Sequence, residues 1–191
     1  MRVFSASWQY QRQWQNFRKG DIGSVSQFHL PAPVTPYLVL KYLHVLGATV
    51  ILGTGTGIAF FMLMAHLSRD PAFVAGTAGV VVVADALFTA AAVIAQPVTG
   101  YLLARETGVA LTEGWVAVSL ALYVLAGLFW LPVVWIQARM RDPARAAARE
   151  GRPLPATYDR LFRIWFACGF PGFGAILAIV WLMIAKPALP G

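Results

Sequence analysis

A chain of 191 residues that is 59% hydrophobic and only 12% charged, with a mean hydropathy of +0.65, carries more apolar surface than a water-soluble core absorbs; soluble domains hold roughly 25% charged residues. Spans of about 20 apolar residues each fit four times into this length, so the expected fold is all-α, a polytopic membrane four-helix bundle. The net charge of +7 reads as topology and lipid-headgroup contact rather than nucleic-acid binding. The single cysteine, Cys168, excludes an internal disulfide and any thiolate cluster for zinc or iron–sulfur.

Residues 1–35 form a polar tail. It places Trp8, Tyr10, Trp14 and Phe17 beside Arg12, Arg18 and Lys19, a mixture that favours the headgroup zone. Two readings stay open, a tail lying on the lipid bilayer and an arm docking on another membrane subunit. It has no continuous apolar run with a small-residue cleavage site, so a signal peptide is not expected.

The transmembrane domain is expected over 36–187. Helix 1, about 36–66, opens with Thr35 and Pro36, the capping residue and first-turn proline of a helix start. Helix 2, about 71–104, repeats the device with Asp70 and Pro71. Helix 3, about 113–139, begins at Thr112 and Glu113 and stops where charged residues take over. Helix 4, about 158–186, follows Thr157 and ends at Pro187. Gly169, Gly172 and Gly174, beside Pro171, would let another helix or a partner subunit approach closely.

Arg139, Arg141, Arg145, Arg149, Arg152 and Arg160 concentrate around a stretch expected as a long loop, 140–157, between helices 3 and 4. By the excess of basic residues in cytoplasmic loops, that loop is expected in the cytoplasm and both termini outside. The membrane implied is a bacterial cytoplasmic (inner) one.

Polar side chains in hydrocarbon are costly and are functional candidates by default. In helix 2, Asp85, Thr89, Gln96 and Thr99 recur at spacings of four, seven and three, which at about 100° per residue puts all four on one narrow stripe facing the bundle interior. No lysine or arginine occupies the middle of another span, so the Asp85 carboxyl is expected to be protonated, hydrogen-bonded or both. A helix–helix clamp and a proton or ion site are the two readings of that residue.

In helix 1, Tyr37, Lys41 and His44 share one face, and Ala48, Ile51 and Gly55 continue it with modest side chains. Levelling the helices brings Gln96, Ser119 and Tyr123 to about the depth of His44. A lone intramembrane histidine is either a packing residue or a haem ligand. His66 lies roughly 33 Å further along the same helix, so a bis-histidine haem within the span is unavailable, and any haem would use His44 alone as its protein axial histidine.

The run from Tyr37 to Gly47 that holds Lys41 and His44, then Gly53 and Gly55, then Gln96-Pro97-Val98-Thr99-Gly100, resembles a bacterial family of four-helix predicted integral membrane proteins of unknown function. The resemblance covers about residues 36–186. That family is similar to the bacterial membrane protoporphyrinogen oxidases and, more distantly, to the membrane domain of copper-resistance D proteins. Lys41, His44 and His66, the Thr99-Gly100 pair and Trp115 match the oxidase pattern, which implies haem b bound through His44. The oxidases carry a lysine shortly after the tryptophan; Trp115-Val-Ala-Val-Ser119-Leu has none, so protoporphyrinogen oxidation as such is not expected.

The leading expectation is therefore a membrane protein binding haem b through His44, in electron transfer or tetrapyrrole redox chemistry. Gln96, Ser119 and Tyr123 would shape the pocket and Lys41 would meet a propionate. Two alternatives come from other classes, a non-catalytic accessory subunit of a larger membrane complex and a proton or small-solute transporter using Asp85.

Overall fold

The structure is a computed structural model and describes residues 35–189. The expected contacts of the tail with lipid or a partner subunit fall outside those residues. Nearly everything described is helix: α1 is Pro36–Ser68, α2 Pro71–Thr107, α3 Gly114–Arg149 and α4 Ala156–Ala185, and all four are long and apolar enough to cross a bilayer. The expected all-α membrane bundle is what forms.

Local chemistry sets most of the boundaries. At the start of α2 the Asp70 carboxylate accepts a hydrogen bond of 2.9 Å from the Ala72 N–H, with Pro71 in the first turn where its missing donor costs nothing. The helix ends on Gly108 at φ 69°, the left-handed position that glycine adopts without a Cβ clash. Glu113 precedes α3 without making a side-chain cap, and α4 starts at Ala156 behind Pro155.

The helices run alternately up and down. The most extensive pairing is α3 with α4; the first half of α2 packs on α3, its second half packs on α1, and α1 touches α4 over a short length. The dry core gathers at the end where the 68/71 and 149/156 connections meet. There Met62, Ala65, Val74, Ala78, Met140 and Ala144 are completely buried, and the small side chains among them let three helices close up. The His66 ring lies flat on Phe162, with centroids 3.7 Å apart and planes 3° from parallel. A two-pronged ion pair, Arg69 to Asp159 at 2.6 and 3.1 Å, ties the 68/71 turn to α4; being largely exposed, it contributes only about 0–1 kcal/mol.

The arginine-rich stretch departs from expectation. The long loop expected over 140–157 is helix as far as Arg149, and the connection shrinks to residues 150–155. Met140, Ala144 and Ala147 supply the reason: at spacings of four and three they form a buried stripe, alanine favours helix, and Arg145 and Arg149 turn outward. A helix of 36 residues is about 54 Å long against a hydrocarbon thickness of about 30 Å, so its last turns stand clear of the apolar zone. Amide hydrogen exchange is expected to be slow across 140–148 and fast across 150–154. Equally fast exchange in both segments would restore a loop.

Candidate functional site

The polar residues of α2 do not stay on one stripe. Asp85–Thr89 is a π-helical turn, in which the Ala90 N–H reaches back to the Asp85 carbonyl. Such a turn inserts one residue into the α-helical register, rotating everything beyond it by roughly 100°. Asp85 and Thr89, 4% exposed each, therefore face α3, whereas Gln96 and Thr99 face α1. The insertion converts one expected site into two.

The first site is a cavity of about 520 Å³ between the four helices. Its walls are mostly apolar, with Ile51 and Ile58 from α1, Val133 from α3 and Phe173 from α4. Its polar groups are Asp85, Thr89, Trp130, Gln137 and Trp165, with Thr56 and Tyr123 nearby. Thr56 is satisfied by its own helix, donating to the Leu52 carbonyl at 2.7 Å. The others are not. The Thr89 hydroxyl, the Trp130 and Trp165 indole N–H groups and both ends of the Gln137 carboxamide are buried without a hydrogen-bond partner. Thr89, Trp130 and Gln137 stand around the Asp85 carboxyl as its neighbouring donors, without a well-formed hydrogen bond to it. No lysine, arginine or histidine lines the space.

The second site is His44. Its Nδ1 lies 2.8 Å from the Thr99 hydroxyl, and that hydroxyl donates to the Ala95 carbonyl at 2.8 Å. With the threonine proton so used, Nδ1 is assigned as the donor and Nε2 keeps its lone pair. One turn away the Gln96 carboxamide donates to the His44 carbonyl at 2.8 Å. Two glycines make room for this clamp. A Cβ at Gly47 would fall 2.6 Å from Gln96 Nε2, and one at Gly100 would fall 3.1 Å from His44 Cε1.

The residues expected around His44 are only partly brought together. Thr99 and Gln96 are. Lys41 is exposed on the outer face, over the Tyr37 ring at 5.7 Å. Ser119 is buried but donates to the Trp115 carbonyl at 2.7 Å. Tyr123 belongs to the cavity wall instead, and Pro97 explains its role. Proline has no N–H, so the carbonyl four residues earlier, Val93, loses its helical partner; the Tyr123 hydroxyl donates to that carbonyl from α3.

Gln137, Trp130 and Trp165 are the residues that sequence reasoning missed. Gln137 sits two positions before Arg139, where the span was expected to end. The signal was present in Asp85 itself, since a buried carboxyl needs donors from a neighbouring helix, and Gln137 and Trp130 are about two turns apart on one face of the helix beside it.

Replacing Tyr123 by Phe is expected to strand the Val93 carbonyl and destabilise the folded bundle by about 1–3 kcal/mol, measured by denaturant-induced unfolding in micelles. Tyr101→Phe, at an exposed position, is expected to change nothing. Equal stability of the two variants would show that the Val93 carbonyl finds another partner.

Residues 38–187 match the family described as predicted integral membrane protein (DUF2269), and the chain belongs to that family. No curated protein and no solved structure matches the chain.

Proposed function

We propose that this member of the predicted integral membrane protein family holds a lipid-soluble small molecule in the cavity between its helices, with the Asp85, Thr89, Trp130 and Gln137 cluster as the polar contact. The observation that carries the reading is the set of buried donors and acceptors without partners on the cavity wall. Buried polar groups in folded proteins are nearly always paired, and each one left unpaired costs about 1–3 kcal/mol. Several such groups around one apolar space are the mark of a site completed by a guest. The arginine excess at one end of the bundle supports an orientation with that end in the cytoplasm of a bacterial cell.

Gly55 tests it. The glycine lines the cavity and a Cβ built on it meets nothing within 4 Å, so Gly55→Leu adds apolar bulk at a wall position where the first added carbon is unobstructed. Protein purified in mild detergent, extracted with organic solvent and analysed by mass spectrometry is expected to release a small molecule near stoichiometry, and Gly55→Leu at least tenfold less. Identical extracts from the two proteins would end the proposal.

A second reading, haem b at His44, is favoured by the His44 and Thr99 geometry. An imidazole whose Nδ1 is held by a hydrogen bond presents Nε2 in the tautomer and orientation that an axial ligand needs. The resemblance to membrane protoporphyrinogen oxidases adds the expectation of haem, which when bound supplies one-electron redox chemistry. In this chain His44 would be the ligand, Thr99 would fix its ring, and Lys41 stands on the same helix face for a propionate. Gln96, Ser119 and Tyr123 are occupied by other hydrogen bonds, and His44 does not line the cavity. A haem would therefore lie against α1 and α2 and leave the cavity free. A reduced-minus-oxidised visible spectrum is expected to show a b-type band in the wild type and none in His44→Ala. Absence of the band in haem-supplied wild-type protein would remove this second reading and leave the cavity untouched.

A further inference from the structure

The ligand-binding reading leaves open what kind of molecule the cavity accepts, and the charge of its wall narrows the choice. Among the described residues Asp85 is the one acidic residue on that wall, and no basic side chain accompanies it there. Its neighbours Thr89, Trp130 and Gln137 all carry neutral donors and are unpartnered. Neutral donors do not cancel the charge of a carboxylate, and a buried charge calls for a partner of opposite sign.

The rest of the wall is suited to an apolar body. Phe129, Trp165, Phe166, Phe170 and Phe173 supply aromatic surface, and aromatic rings attract organic cations most strongly where water is excluded. A bare metal ion has no comparable site, since no cluster of three or more histidine, cysteine or acidic ligands exists among the described residues. The way in also follows from packing. Helices α1 and α4 touch over a short length, and Gly55, Gly169 and Gly174, on the cavity wall, have nothing within 4 Å of a built Cβ. That seam opens towards lipid, so a guest arrives from the bilayer rather than from water.

Resting on the ligand-binding reading, we infer that the cavity takes a lipophilic organic cation, with its charge delocalised or quaternary, that pairs with the Asp85 carboxylate and enters between α1 and α4. The carboxyl supplies the ion pair once the cation stands beside it, the three donors line its surroundings, and the aromatic wall holds the hydrophobic groups. Asp85 thereby sets the charge selectivity of the site and the glycine seam its size limit.

The test uses the full chain in phosphatidylcholine nanodiscs, with empty nanodiscs as the reference for partitioning into lipid. Two probes carry aryl groups on phosphorus: tetraphenylphosphonium is a cation, and triphenylphosphine oxide is a neutral acceptor. Equilibrium dialysis is expected to give at least tenfold tighter binding of tetraphenylphosphonium, with the preference lost in Asp85→Asn and all binding lost in Gly55→Leu. Equal or tighter binding of the neutral oxide, unchanged in Asp85→Asn, would overturn the cation assignment while keeping a ligand in the cavity. Binding of neither probe above the empty-disc level would overturn it too, and the extraction experiment with Gly55→Leu then decides separately whether the cavity holds anything. If Asp85→Asn fails to accumulate as folded protein, Gly55→Leu carries the test, because it keeps the carboxyl and closes the space; tetraphenylphosphonium bound there as tightly as in the wild type would overturn the proposal.

Discussion

Hydrocarbon offers no hydrogen bonds, so every polar group inside a span must be answered from within the protein. That constraint organises α2. Pro97 breaks the helix's own bonding at the Val93 carbonyl and Tyr123 answers from α3. Gln96 and Thr99 answer the His44 carbonyl and ring from one helix to its neighbour. At the π-helical turn the constraint is left unmet, because the groups around Asp85 face a space rather than partners. Where a chain satisfies one polar region and leaves another open, the open one is where a guest is expected.

The two regions share a helix and differ in what they can do. The His44 clamp is closed on α2 by glycines that admit no added atom without movement, so its rigidity serves packing and ring orientation. The cavity is bounded by side chains that touch sparsely on the α1 and α4 side, so it can admit and release a molecule. A redox centre held by His44 and a guest beside Asp85 would occupy different faces of α2, and neither depends on the other. Mutations at Asp85 and His44 are for that reason informative separately.

How much of this was legible in the sequence depended on whether the signal was a residue or a register. Asp70 with Pro71 marks a helix start by chemistry that acts locally, and α2 begins there. The intramembrane carboxyl and its Thr89 neighbour stand out by polarity alone. The π-helical turn carries no such mark: Asp85-Ala-Leu-Phe-Thr89 is compatible with ordinary helix, and nothing local in those residues announces the inserted one. A stripe drawn at constant period therefore merged residues that the backbone separates. The α3 boundary failed for a different reason. Arginines at 139, 141, 145 and 149 suggest solvent, which is right for their side chains, but Met140, Ala144 and Ala147 between them keep the buried period going. Charge reported where the membrane ends, and it was taken to report where the helix ends.

The same distinction fixes the depth of the carboxyl. Counting about 1.5 Å per residue from the closed end of the bundle, Asp85 lies about 21 Å up α2 and Arg139 about 15 Å up α3, so the nearest ring of arginines is roughly one helical turn below the carboxyl. Arg139 is within reach of that depth by length alone. Its guanidinium lies instead over the Trp135 ring, 4.9 Å from the centroid, on the exposed face of α3 where both residues meet the surroundings. Trp135 thus holds outward the cation that stands closest to the level of Asp85, while Gln137, two residues before Arg139, turns inward with a neutral amide. An arginine at the inward position would have closed the site as a buried ion pair; a glutamine leaves the carboxyl without a cationic partner from the protein.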